Sequence, residues 1–146
     1  MKFPSILTIA VVIACVVFLS VASFSQATVS KELLIRVDIP FNFVAAGVHL
    51  PAGHYSIYRV LTPDVILIES DNHRNAAFVQ VRVSSVGLGQ HPTTLIFNTY
   101  GDRHFLSQVS AGNDRRIQMC SKCREEEELM AKNKQPETET ITAAAH

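Results

Sequence analysis

Cys120-Ser121-Lys122-Cys123 is the one spacing in this chain whose residue types could carry chemistry. At a helix start, the helix dipole and Lys122 would acidify such thiols and favour thiol–disulfide exchange. That motif takes its redox meaning from a βαβ setting, which the flanking sequence does not supply. Arg124 rather than His follows Cys123, so the covalent haem signature is absent. A zinc site takes four ligands, and no second Cys or His pair accompanies this one. In an oxidising compartment Cys120 and Cys123 read as a candidate local disulfide, or as thiols that pair between chains. No catalytic, cofactor-binding or metal-ligating residue is expected beside them.

The remaining candidates read more plainly as structure. His49, His54, His73, His91, His104 and His146 form no HxH or HExxH pair, and most fall in turns or near strand ends. Asp102-Arg103-His104 invites a catalytic reading, yet no Ser or Cys nucleophile stands on a recognisable elbow, so a polar hairpin tip is expected. Gly87-Leu88-Gly89 lacks the helix and lysine that a phosphate cradle needs. Glu125 to Glu128 read as a solvated helix face. Phe41, Phe43, Tyr55, Phe97 and Phe105 read as core rather than as a stacking platform.

Charge and length narrow the function classes. The chain has 146 residues, with 13 Lys+Arg balanced by 13 Asp+Glu. Zero net charge argues against a dedicated nucleic-acid binder, and the length suits a single domain. Met1-Lys2 is followed by an uncharged run from Ser5 to Phe24, and then by Ser25-Gln26-Ala27. A charged start, an apolar middle and a small-x-small end predict a secretory signal peptide over 1–27, cleaved after Ala27. The alternatives are an uncleaved membrane anchor, since such a run can just span a bilayer, and a lipobox at Val12 to Cys15. The apolar run continues past Cys15 through Leu19, against the lipobox. The expected location is secreted or periplasmic.

The elements that must position any site are strands. Leu33, Ile35, Val37, Ile39, Phe41, Phe43 and Ala45 alternate at period two, predicting one half-buried strand with a bend or edge at Pro40. Pro51-Ala52-Gly53 predicts a turn that pairs Gly47–Leu50 with His54–Val60 as a hairpin. Asp64–Ser70 is apolar on both faces and predicts a central strand. Asp71 to Arg74 is a turn, Ala77 to Val83 a half-buried strand, and Val86 to Pro92 a loop. Thr93–Tyr100 and Arg103–Ser110 are joined at Gly101-Asp102, which puts Phe97 opposite Leu106 and Tyr100 opposite Arg103. Six or seven short strands so spaced predict an all-β fold, an antiparallel meander closed as a small barrel or sandwich. The β-domain would span 28–116. A charged helix is expected over 117–133, capped by Ser121, with a Glu128–Lys132 pair. Residues 134–146 read as a disordered tail.

Leu50-Pro51-Ala52-Gly53-His54-Tyr55 and Tyr100-Gly101-Asp102-Arg103-His104-Phe105-Leu106, with the Phe41-Asn42-Phe43 strand and the leader, resemble a group of small exported bacterial β-proteins. The resemblance spans roughly residues 37 to 128. It implies a shared fold and carries no activity, cofactor or binding residues. The leading expectation is an exported, non-enzymatic β-domain that binds or scaffolds at the cell envelope, with an envelope protein as partner. The alternative is a lipocalin-like carrier of a small apolar ligand, although about eight strands are needed to enclose one. A thiol enzyme using Cys120 and Cys123 is the third. An outer-membrane barrel would need strands of about ten residues with apolar exteriors, which are not seen.

Overall fold

Ten strands form among the described residues, most of them where period-two alternation lets one face be buried. The computed structural model describes residues 30–60, 62, 64–85, 92–112, 116–132 and 135–143. The expected signal peptide with its expected cleavage site, and residues 86–91 of the expected loop, lie outside the described residues. The strands are β1 (Glu32–Ile39), β2 (Phe43–Ala45), β3 (Val48–Leu50), β4 (Gly53–Arg59), β5 (Val65–Ser70), β6 (Ala76–Ser85), β7 (Thr94–Tyr100), β8 (Arg103–Ser110), β9 (Arg116–Cys120) and β10 (Glu137–Thr142). The single helix among the described residues, α1, is Arg124–Ala131. No described helix is long and apolar enough to cross a membrane.

All ten strands belong to one mixed sheet that runs β1-β4-β5-β6-β9-β8. On its other edge β8 pairs along its length with β7, and β7 carries β10. The β2–β3 hairpin docks on the first half of β8, where β2 runs parallel to it. Inward side chains from both halves of the sheet enter one core, including Ile39, Tyr55, Ile57, Ile66, Val79, Leu95, Phe97 and Val109. A sheet of this length with one apolar face must curl round a shared interior to hide it.

Several expectations need correction. Closure is absent: β1 pairs only with β4 and β10 only with β7, so the sheet has free ends and forms no barrel. A simple antiparallel meander is also excluded by the parallel β2–β8 pair. The strand expected from Leu33 to Ala45 breaks at Pro40 into β1 and β2, because proline has no N–H for the ladder. Pro51-Ala52 is a corner rather than a hairpin turn. It separates β3, which pairs with β2, from β4, which pairs with β1. The actual hairpin turn is Ala46-Gly47, with φ of 50° and 83°, the left-handed pair that suits a two-residue turn between twisted strands. Leu33 is 42% exposed because a bulge between Leu33 and Ile35 turns it outward.

The C-terminal part differs most. Residues 116–120, divided above between the β-domain and the charged helix, form β9, and α1 starts after Cys123 rather than at Ser121. The ion pair on its exposed face is Arg124–Glu128 at 3.0 Å, not Glu128–Lys132. The stretch expected as a disordered tail holds β10, which pairs with β7 from Glu137↔Thr99 to Thr142↔Thr94. Ala143 continues it, donating its N–H to the Thr93 carbonyl and packing into the core. The predicted β7–β8 register is observed, with Phe97 opposite Leu106 and Tyr100 opposite Arg103.

Candidate functional site

The hairpin β2–β3 and the turn between β7 and β8 face each other across an open cleft of about 370 Å³. Its rim carries Asn42, His49, Asp102, Arg103 and His104 above a floor of Phe43, Val44 and Leu50. Local sequence builds each wall. The Ala46-Gly47 turn reverses the chain so that His49 stands beside α1. The side-chain oxygen of Asn42 accepts the Ala52 N–H at 3.0 Å, which fixes the corner. Tyr55 donates its hydroxyl to the Pro51 carbonyl at 2.6 Å, and burial pushes this phenol above its usual pKa. The Tyr55 ring meets Phe43 edge-on, and Phe43 meets Phe97 likewise. The Leu50 to Tyr55 motif is therefore a corner latched to the core.

Ion pairs cross the site from distant parts of the chain. Glu125, in the first turn of α1, pairs with both Arg103 and, at 3.2 Å, His49 Nε2. A carboxylate there is also favoured by the positive end of the helix. His104 stacks on Phe41 and points Nε2 at Glu139 of β10, 3.2 Å away. Its Nδ1 is buried with no hydrogen-bond partner among the described residues. Behind these, Glu126 is 2% exposed and accepts a hydrogen bond from Asn98 Nδ2 at 2.7 Å. Burial, followed by the nearby Glu126 carboxylate, raises the Tyr100 phenol. The acidic run thus includes a buried carboxylate that holds α1 onto β7, contrary to the expectation of a fully solvated face.

The cysteine pair does not form the expected disulfide. Cys120 and Cys123 are both free. Cys120 ends β9 with its side chain packed against the core, and burial pushes its thiol up to about 12. Cys123 is the N-cap residue of α1, contributes no side-chain cap, and packs beside Val44, Tyr100, Phe105 and Leu129. A strand end and a helix cap replace the consecutive helical turn that would have placed both thiols at one dipole.

Of the residues weighed as candidates, the fold brings together His49, Arg103, His104 and Glu125, and leaves Asp102 at the hairpin turn. His54 lies apart, 3.4 Å from Asp38 on β1, and His73 pairs with Glu69 at 3.0 Å. No group of three or more His, Cys, Asp or Glu suited to a metal ion occurs among the described residues. Sequence reasoning placed Glu126 on a solvated helix face and Glu139 in a disordered tail, so neither was read as part of a site. For Glu126 a signal exists in its spacing of three from Leu129, the other buried residue of α1. Comparison with protein-family models, with curated proteins and with solved structures gives no match.

Proposed function

We propose that this chain is an exported, non-enzymatic binding module of the cell envelope, and that the cleft between the β2–β3 hairpin and the β7–β8 turn is its recognition surface. The observation that carries this reading is how the charged rim is used. Arg103 and His49 share Glu125, and His104 faces Glu139, so the groups that could act as acid or base tie secondary elements together. A catalytic base must instead be free to reach the proton it abstracts. The leader of residues 1–27 supports export, and the strand-dense core supports a rigid scaffold with its recognition groups at the turns. Thiol exchange loses support from the buried Cys120 thiol. The carrier alternative loses support from an interior occupied by Phe43, Tyr55 and Phe97.

A photo-cross-linking residue at His49, in cells that export the protein, tests this reading. The expected result is one defined envelope component captured from that position and not from Arg74, which sits in the turn after β5. Equal or absent capture at both positions would remove the cleft from consideration. Sequencing the N-terminus of the exported material tests the location separately, with Thr28 expected as the first residue.

A further inference from the structure

An edge strand presents a row of unpaired backbone N–H and C=O groups, and the two ends of this sheet are built differently. β10 places Glu137 and Glu139 on the side of Ile141 and Ala143, which pack against the core, so charge guards that edge. β1 carries no such guard. Its inward residues Ile35, Val37 and Ile39 are buried and apolar, and its outward residues Arg36 and Asp38 are exposed. The bulge between Leu33 and Ile35 precedes this regular stretch, and Pro40 ends it. Arg36, Val37 and Asp38 line an open cleft of about 320 Å³ with Thr142 and Ala143, so the end of β10 approaches this edge without pairing to it.

The two outward charges on β1 are not neutralised within the chain. Arg36 has no ion-pair partner among the described residues. Glu69, reached from Arg36 across Ser56 of β4, is engaged by Lys31 at 2.9 Å and His73 at 3.0 Å. Asp38 meets His54 at 3.4 Å and keeps its side chain 64% exposed.

Only another extended strand offers backbone donors and acceptors at the spacing an edge requires, and a second β1 related by a two-fold axis offers them antiparallel. Because one face is buried, inward residues must lie opposite inward residues. Centred on Arg36, such a pairing sets Arg36 against itself. Centred on Asp38, it sets Asp38 against itself. Centres at Ile35 and Ile39 draw in the bulge and Pro40. Centred on Val37, the pairing sets Arg36 opposite Asp38 twice and Ile35 opposite Ile39 twice. Opposite charges directly across a strand pair attract and like charges repel, so this sequence favours one register with itself and penalises the neighbouring ones.

We propose that two copies of this chain pair through the edges of β1, antiparallel about Val37, with Arg36 of each copy meeting Asp38 of the other. The two sheets then run on as one. This goes beyond the cleft reading and does not depend on it, and a dimer so built presents two clefts to one partner surface.

Sedimentation equilibrium of the exported protein over a range of concentrations is the test. The expected result is a monomer–dimer equilibrium that Arg36→Asp and Asp38→Arg each weaken on the order of tenfold, since each reversal acts twice. Arg36→Asp combined with Asp38→Arg should restore wild-type association, because the opposed charges are exchanged and not lost. All three variants change exposed positions, so the thermal midpoint of the dilute monomer should stay at the wild-type value. Hydrogen exchange gives a second readout: amides from Ile35 to Ile39 that do not bond to β4 should exchange more slowly as concentration rises. A monomer at every concentration overturns the proposal. A dimer indifferent to both single reversals, or not rescued by the double exchange, overturns it too and places association on another surface, such as the exposed Phe78.

Discussion

The imidazole of His104 lies flat on the ring of Phe41, with centroids 3.9 Å apart and planes within 16°. This contact joins the bend after β1 to β8, and the approach of His104 to Glu139 extends the tie to β10. Phe41 also meets Phe97 edge-on at 5.2 Å, so one half-buried ring bridges surface and core.

Phe41 and Phe97 should therefore differ on truncation. Phe97 is fully buried, and Phe97→Ala is expected to cost about 3–5 kcal/mol. Phe41 keeps part of its ring in water and is expected to cost less, about 2 kcal/mol. Asn42→Ala removes the acceptor for the Ala52 N–H and should cost about 1 kcal/mol, more than an ordinary surface change. Urea unfolding of the three variants gives the order directly. Equal losses for Phe41 and Phe97 would show that the bend after β1 is packed more deeply than described.

Ala46 adopts φ of 50° at an exposed hairpin position. An L-residue there pays a left-handed penalty of roughly 1 kcal/mol, which asparagine relieves by local hydrogen bonding. Ala46→Asn should therefore stabilise the chain by about 0.5–1 kcal/mol, read as a higher urea midpoint with an unchanged slope.

How far the sequence could be read depends on whether local pattern or distant pairing decides each element. The β7–β8 register was legible because a two-residue loop and period-two burial leave one solution, with Phe97 inside. Leu33 was not, because a bulge shifts the phase without altering composition. Pro51-Ala52-Gly53 satisfies a local turn equally well as a hairpin or a corner. Which one forms depends on β3 finding β2 and β4 finding β1, far outside the motif. In the site, His49 and Arg103 were visible as residues, but their common partner Glu125 lay inside a run of four glutamates that looked alike. Only the spacing of three from Leu129 sets Glu126 apart from its neighbours, and packing against β7 gives that spacing its meaning.

β10 gives a sharper test of that point. Its composition, Glu-Thr-Glu-Thr-Ile-Thr, is polar, and its strand state comes from the backbone edge of β7. Ending the chain at Gln135 should leave that edge unpaired and uncover the core beside Ala143. The expected outcome is a lower thermal midpoint and faster aggregation than full-length protein. An unchanged midpoint would mean that the strand adds nothing to the fold.

Glu126→Ala should cost about 1–3 kcal/mol, because it leaves the Asn98 amide without its acceptor beneath α1. Glu128→Ala, on the exposed face of the same helix, should stay within about 0.5 kcal/mol. The contrast between two glutamates only two positions apart is measurable by thermal unfolding. A similar effect of both would contradict the burial of Glu126.

Cys120 offers a prediction in pH. Burial raises its thiol from 9.0 to about 12, so the thiolate fraction at pH 8 is roughly one in ten thousand. Alkylation of the folded chain should therefore be slow at Cys120 and should accelerate when the chain is unfolded in urea. The sign of the stability effect follows from proton counts. Below pH 9 the thiol is protonated in both states and contributes no slope. Between 9 and about 12 the unfolded chain releases a proton that the folded chain keeps, so stability falls as pH rises. Tyr55 and Tyr100, also raised, add to the same fall at the alkaline end. Cys120→Ala isolates the cysteine share: its stability should decline less steeply than wild type between pH 9 and 11. If Cys120 instead alkylates rapidly at pH 8 in the folded protein, or if the Cys120→Ala slope matches wild type, the thiol is accessible and the case against exchange chemistry at this pair fails.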